Sequence, residues 1–285
     1  MFMNGIEKIA VSPDGSIMII MQGNCLRAIK VSEESLNWEK LFVFDLDELI
    51  IKDNYIIACS YECGIICIDL ANGDDKWSRC DIKGVNRLCI SENAVGCIKT
   101  NGKGVLVNVA TGSTIEILPN ISFIYDSEKF RFWANEFSDK YFLKINSMPV
   151  RQYKSHSFGI LCALFIGDKI FIAEAGGGLY CVCVNSMIMC CVYMPKNKFH
   201  VINFIYDELL DIYLLHLRRF DIADNDKLVF LDINTSVEKQ VILKERVKSV
   251  FFPKEKKVIC SNGETFSWNL YNIVPLSKFD VFEKE

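Results

Sequence analysis

A short triplet, apolar then polar or small then apolar, each time followed by a turn, recurs seven times along this chain. It reads Ile29-Lys30-Val31, Ile68-Asp69-Leu70, Val107-Asn108-Val109, Leu143-Lys144-Ile145, Val182-Cys183-Val184, Leu231-Asp232-Ile233 and Trp268-Asn269-Leu270. The steps between third positions are 39, 39, 36, 39, 49 and 37 residues, so one period near 40 accounts for the 285-residue chain from end to end. A fixed period of this length marks copies of one supersecondary unit, none of which buries its apolar surface alone.

Turn chemistry divides each copy further. A first break precedes every triplet: Pro13-Asp14-Gly15, Asp53-Asn54, Glu92-Asn93, Asp126-Ser127-Glu128, Gly167-Asp168, Asp207-Glu208 and Pro253-Lys254-Glu255. Such residues hydrogen-bond locally or tolerate positive φ, and so reverse a chain at low cost. A second break follows one strand later, at Gln22-Gly23-Asn24, Tyr61-Glu62, Asn101-Gly102, Phe137-Ser138-Asp139, Gly176-Gly177-Gly178, Arg218-Arg219-Phe220 and Asn262-Gly263. A third comes just after the triplet, as in Asn72-Gly73 and Thr111-Gly112. Between breaks lie short β-branched and aromatic runs such as Tyr55-Ile56-Ile57-Ala58-Cys59, which read as strands.

Three breaks give four strands per copy, the signature of a propeller blade. The expected fold is all-β: a single seven-bladed β-propeller spanning residues 1–285, with four antiparallel strands per blade. The expected blades cover about 6–44, 45–82, 83–118, 119–155, 156–195, 196–244 and 245–280. Two stacked sandwiches are the competing arrangement, but no Pro-, Gly- or Ser-rich linker divides the middle of the chain. The first strand opens almost at once and little follows the last, so closure by packing of blade seven on blade one is expected.

The segment Gly64-Ile65-Ile66-Cys67-Ile68-Asp69-Leu70-Ala71-Asn72-Gly73-Asp74-Asp75-Lys76-Trp77 resembles the repeat of quinoprotein-like propellers. In that family a Gly opens the strand, an Asp follows, and a Gly and a Trp close the outer turn. Val11-Ser12-Pro13-Asp14-Gly15 looks like the first turn of WD40 and lactonase-type repeats. These motifs stand clearly in the first two blades only, and later blades lack the paired Trp-Asp and Gly-His signatures.

That resemblance raises enzymatic readings, and the residues argue against them. Quinone-dependent dehydrogenases work outside the cytosol with a quinone and a calcium ion, and no constellation here suggests that cofactor. Lactonase-like propellers hold calcium on Glu, Asn and Asp in the central channel. No local spacing identifies such a cluster, and a metal-dependent lactonase or hydrolase stays as the second reading. His156, His200 and His216 form no ligand spacing and read as ordinary strand or loop residues. Cys59, Cys63 and Cys67 are regularly spaced but split by the turn at Tyr61-Glu62. Cys181, Cys183, Cys190 and Cys191 read as packing. No G-x-S-x-G and no phosphate-binding G-x-x-x-x-G-K occurs. The expectation is no catalytic residue, no metal and no cofactor.

Thirteen cysteines are many for this length, but their odd number argues against a disulfide framework. Met1 to Lys8 show no basic segment leading into a long apolar stretch, so the thiols are expected to be reduced and the location cytoplasmic. No apolar run is long enough for a membrane span. A net charge of -4 argues against nucleic acid as a partner. The basic stretch Lys244, Arg246, Lys248, Lys254, Lys256 and Lys257 alternates with apolar residues, as a solvated blade face does.

Function is then expected in loops carried by a rigid scaffold. The sixth copy departs from the period, and its extra length falls at Leu217 to Asp226. Arg218, Arg219, Phe220, Asp221 and Asp224 lie there, and Arg and aromatic residues dominate binding hot spots. Strand counting places Tyr61, Glu62, Phe137 and Asp139 on the same rim. The expected partner is a protein, with this chain either an adaptor or scaffold subunit or a cytosolic immunity or inhibitor protein that binds a toxin.

Overall fold

The computed structural model describes residues 6–276 except 136–138, 156–158, 177, 222–224, 233–236, 253 and 270–272. Its regular elements are strands. Blade one holds β1 (Lys8–Val11), β2 (Ile17–Gln22), β3 (Cys25–Lys30) and β4 (Ser35–Leu41), and blade two β5 (Glu48–Lys52), β6 (Tyr55–Ser60), β7 (Gly64–Asp69) and β8 (Asp75–Arg79). Blade three holds β9 (Val85–Ile90), β10 (Ala94–Lys99), β11 (Gly104–Asn108) and β12 (Thr114–Leu118), and blade four β13 (Ile121–Asp126), β14 (Phe130–Asn135), β15 (Lys140–Ile145) and β16 (Arg151–Lys154). Blade five holds β17 (Ile160–Ile166), β18 (Lys169–Glu174), β19 (Leu179–Cys183) and β20 (Ile188–Tyr193). Blade six holds β21 (Phe199–Asp207), β22 (Ile212–Arg219), β23 (Lys227–Asp232) and β24 (Val237–Ile242), and blade seven β25 (Ser249–Phe252), β26 (Lys257–Cys260), β27 (Thr265–Trp268) and β28 (Ile273–Pro275). Strands follow chain order within every sheet. This is the seven-bladed β-propeller, four antiparallel strands per blade, that the repeat implies. The described residues of each triplet lie at the end of a blade's third strand.

The chain's described residues form two compact units, one running up to Val150 and one from Arg151 through the last described strand. In most blades the middle strands are covered on both faces, whereas β14 and β15 of blade four alternate buried residues with more open ones. β6 and β7 bury nearly every residue, whereas the outermost β8 is largely open to solvent. That is why the middle strands read as continuous apolar runs, the pattern of a sheet packed on two sides. In the first unit Ile19, Leu26, Leu49, Ile56 and Ala58 fill the seam between blades one and two. Ile57, Cys67, Val85, Val95 and Val107 fill that between blades two and three. In the second unit Phe171, Leu179, Val201, Phe204 and Leu215 join blades five and six, and Leu214, Phe230, Phe251 and Val258 join six and seven.

The quinoprotein-like segment explains its own residues. Asp69 Oδ1 accepts the Ala71 amide at 2.8 Å, and the Gly73 amide returns to Asp69 O at 2.9 Å. Gly73 sits at φ +77°, and a Cβ there would stand 3.0 Å from the indole of Trp38. Trp38 in turn donates Nε1–H to Leu70 O at 3.0 Å, clasping blade one to blade two. Trp77 repeats the clasp on blade three, with Nε1–H on Val109 O at 2.8 Å and its ring against Gly112. The first turn is also set by its side chains: Asp14 Oδ1 accepts from Ser12 Oγ at 2.5 Å and from the Ser16 amide at 3.0 Å. Those bonds, led by that of Ser12, lower the Asp14 pKa to about 2.

Candidate functional site

Each described residue of the expected rim sits at or beside its blade's second-to-third-strand turn. Tyr61 and Glu62 form the turn between β6 and β7, and Asp139 immediately precedes β15. Phe137 and Asp224 lie outside the described residues. Asp47 Oδ2 accepts the Tyr61 amide at 2.5 Å, and Tyr61 O accepts the Gly84 amide at 2.8 Å. A shallow hollow of about 460 Å³ opens there, lined by Tyr61, Glu62, Lys83, Gly84, Lys99, Thr100 and Asn101.

Blade six corrects the sequence reading of its extra length. Much of it extends the first hairpin rather than forming a loop. β21 is 9 residues and β22 is 8, paired in register from Phe199↔Arg219 to Asp207↔Ile212. Leu217, Arg218 and Arg219 therefore belong to a strand. Alternation along β22 separates the two arginines, because successive side chains leave opposite faces of a sheet. Arg218 is committed inward: its guanidinium meets Asp226 at 2.6 Å and donates to Val247 O at 2.6 Å. The sequence places it on the binding surface; its guanidinium is held within the blade by these two contacts. Arg219 instead pairs with Asp221, Nε to Oδ1 at 3.1 Å, and Lys198 reaches the same carboxylate at 3.3 Å. The Arg219 bond, ahead of that from Lys198, holds the Asp221 pKa down to about 2. Phe220 is 54% exposed and rests on the His200 ring, with centroids 4.9 Å apart.

Beside this turn an open groove of about 650 Å³ is lined by Asn197, Lys198, Phe199, Arg219, Asn225, Lys227 and Ile242. Its floor is the Phe199 ring, with Lys227 Nζ 4.5 Å and Arg219 Cζ 6.0 Å from the centroid. Its lining comes from four strands and two connections, so no local pattern marks it.

Sequence reasoning also missed a buried network centred on His216. Its Nδ1 lies 2.6 Å from Ser249 Oγ and its Nε2 3.0 Å from Asp226 Oδ2. Asp226 also accepts the Val247 amide at 3.0 Å. Burial pushes the His216 pKa below its usual 6.5, outweighing the opposing pull of Asp226. Burial works against the Asp226 carboxylate too, but hydrogen bonds from His216 and Arg218 outweigh it and lower the pKa. A neutral His216 therefore donates Nε2–H to Asp226 and accepts the Ser249 hydroxyl. Serine, histidine and aspartate stand in the order of a nucleophile triad. Here, though, all three are buried and the acid is shared with Arg218, so the set ties β22 to β25. The one sequence signal was a histidine inside the apolar run Tyr213-Leu214-Leu215-His216-Leu217, because a polar group buried there needs partners.

The cysteines are free thiols. Burial raises the pKa of Cys59 and of Cys67 to about 12. Among the described residues no group of three or more His, Cys, Asp or Glu is gathered that could hold a metal ion.

Blades and clasps together define the chain as a β-propeller, and solved structures share that fold. Kluyveromyces lactis Hsv2 superposes with a TM-score of 0.72 at 11% identity, covering 96% of this chain and 98% of that one. The Neurospora crassa Pan2 WD40 domain gives 0.68 at 11% identity, over 90% and 85%. BamB from Moraxella catarrhalis gives 0.56 at 10% identity, over 94% and 80%. At such identities the likeness is one of fold. No protein-family model matches the sequence, and no curated protein matches it.

Proposed function

We propose that this chain is a non-catalytic, protein-binding propeller whose blade-six rim captures a protein partner. The observation that carries this reading is Phe220, a large exposed aromatic held on His200 beside Arg219, itself fixed by Asp221. Exposed aromatic and arginine side chains with little freedom left to lose are what binding hot spots are made of. Free cysteine thiols fit work in a reducing compartment such as the cytoplasm. Adaptor subunit and toxin-binding immunity protein are both served by such a rim.

The test is affinity purification from the native host with quantitative mass spectrometry, comparing wild type with an Arg219→Ala/Phe220→Ala variant. Selective loss of one or a few captured proteins, at an unchanged melting temperature, is the expected result. An unchanged captured set would overturn the reading. A toxin among the lost proteins would assign the immunity role; subunits of one stable complex would assign the adaptor role.

A further inference from the structure

We infer that the groove beside the blade-six turn receives an acidic segment of the protein partner, its carboxylates taken by Lys227 and Lys198 over the Phe199 ring. The inference rests on the rim reading above and names the chemistry of what the rim captures.

Charge carries the argument first. The chain has a net charge of -4, yet the described groove and its edge present Lys198, Arg219 and Lys227 against the single carboxylate of Asp221. Asp221 is already engaged by Arg219 and Lys198. Among the described residues Lys227 makes no ion pair, and its ammonium stands over the Phe199 ring. A half-buried ammonium held by a ring face and no anion is a prepared counter-charge, because cation–π attraction restrains it without neutralising it. An incoming carboxylate meets it without first displacing a resident one.

Backbone geometry points the same way. Asn197 and Lys198 both take the left-handed conformation, at φ +58° and +59°, and the Phe199 amide closes the turn on Lys196 O at 3.3 Å. A turn of this shape ordinarily takes glycine at its second central position. Here that position is a lysine, whose ammonium is thereby set at the mouth of the groove.

The occupant is an acidic peptide segment rather than a nucleic acid. A net-negative protein repels an extended polyanion over its whole length, whereas a few carboxylates need only local positive charge. At about 650 Å³ the groove is within the range of ligand sites but confined to one end of one blade.

The probe is a fluorescein-labelled Gly-Glu-Glu-Glu-Glu-Gly peptide, titrated with the full chain by fluorescence anisotropy at low salt. Saturable binding that weakens as salt rises is expected, with no binding of the Gln-for-Glu peptide. Lys227→Met keeps the aliphatic stem on Phe199 and removes the charge; it should weaken binding about tenfold, the scale of one charge-assisted hydrogen bond. Lys254→Met, an equal charge change in the turn between β25 and β26, should leave affinity unchanged. No binding of the acidic peptide, or equal binding by the Lys227→Met variant, overturns the inference. So does saturable binding of labelled oligo-dT that Lys227→Met abolishes while the peptide fails to compete. If the acidic peptide fails but partner capture still depends on Arg219 and Phe220, the rim reading stands and only its acidic chemistry falls. If capture is indifferent to those two residues while the peptide binds through Lys227, the groove stands without the rim.

Discussion

Replacing Asp226 by alanine should destabilise the fold more than any change to the exposed turn a few residues away. The carboxylate accepts from His216 Nε2 at 3.0 Å, from Arg218 Nη2 at 2.6 Å and from the Val247 amide at 3.0 Å. Its removal leaves the Val247 N–H unsatisfied in the interior, strips the counter-charge from Arg218, and leaves His216 holding a proton with no acceptor. Breaking a buried pair from one side costs about 3–5 kcal/mol, because the remaining charge stays desolvated. At about 2–4 °C per kcal/mol, that is a melting-point loss of roughly 6–20 °C. Urea unfolding followed by tryptophan fluorescence reports the event, since Trp268 donates Nε1–H to Asp207 Oδ2 across the same two blades. An Arg218→Ala/Asp226→Ala double variant should lose less than the two single losses added, because it removes the stranded cation along with its anion. A single-variant loss below about 1 kcal/mol, or strict additivity in the double, would refute the network as a joint between the blades.

Acid should loosen the same joint. The folded His216 pKa lies below 6.5, so its stabilising contribution is complete above that pH and is lost as pH falls and the unfolded chain takes up a proton. The urea midpoint of wild type should fall between about pH 7 and pH 5, and His216→Gln should flatten that slope; equal slopes would refute the assignment. Asp226, also depressed, adds a further loss below its ordinary 3.8. Gly64→Ala should be severely destabilising in thermal melts, since φ is +101° and the new Cβ would stand 2.2 Å from Arg79 O. A melting point within about 2 °C of wild type would show that the outer strand yields instead. Maleimide should label Cys80, Cys190 and Cys191 in the native protein, while Cys59, Cys97 and Cys260 react only after unfolding, as read by peptide mass spectrometry.

How far the sequence reached follows from what each feature depends on. The triplets located the third strands because those strands lie mid-blade, most of them covered on both faces, and end in local turns such as the Asp69 to Gly73 loop. Everything needed to recognise them lies within a few residues. Arg218 failed the same test. Arg-Arg-Phe reads locally as a polar turn, and only the eight-residue strand, whose alternation sends one arginine inward and leaves the next at the edge, tells them apart. His216, Asp226 and Ser249 are brought together by blade packing across 33 residues of chain, and no spacing rule encodes that. The groove is non-local in the same way: Phe199 meets Arg219 through the β21–β22 register, while Lys227 comes from the strand beyond the turn. The departure from period in the sixth copy marks the blade whose first hairpin is lengthened. Extra length lengthened a hairpin, and the longer hairpin carries both the buried joint to blade seven and the open groove at its end.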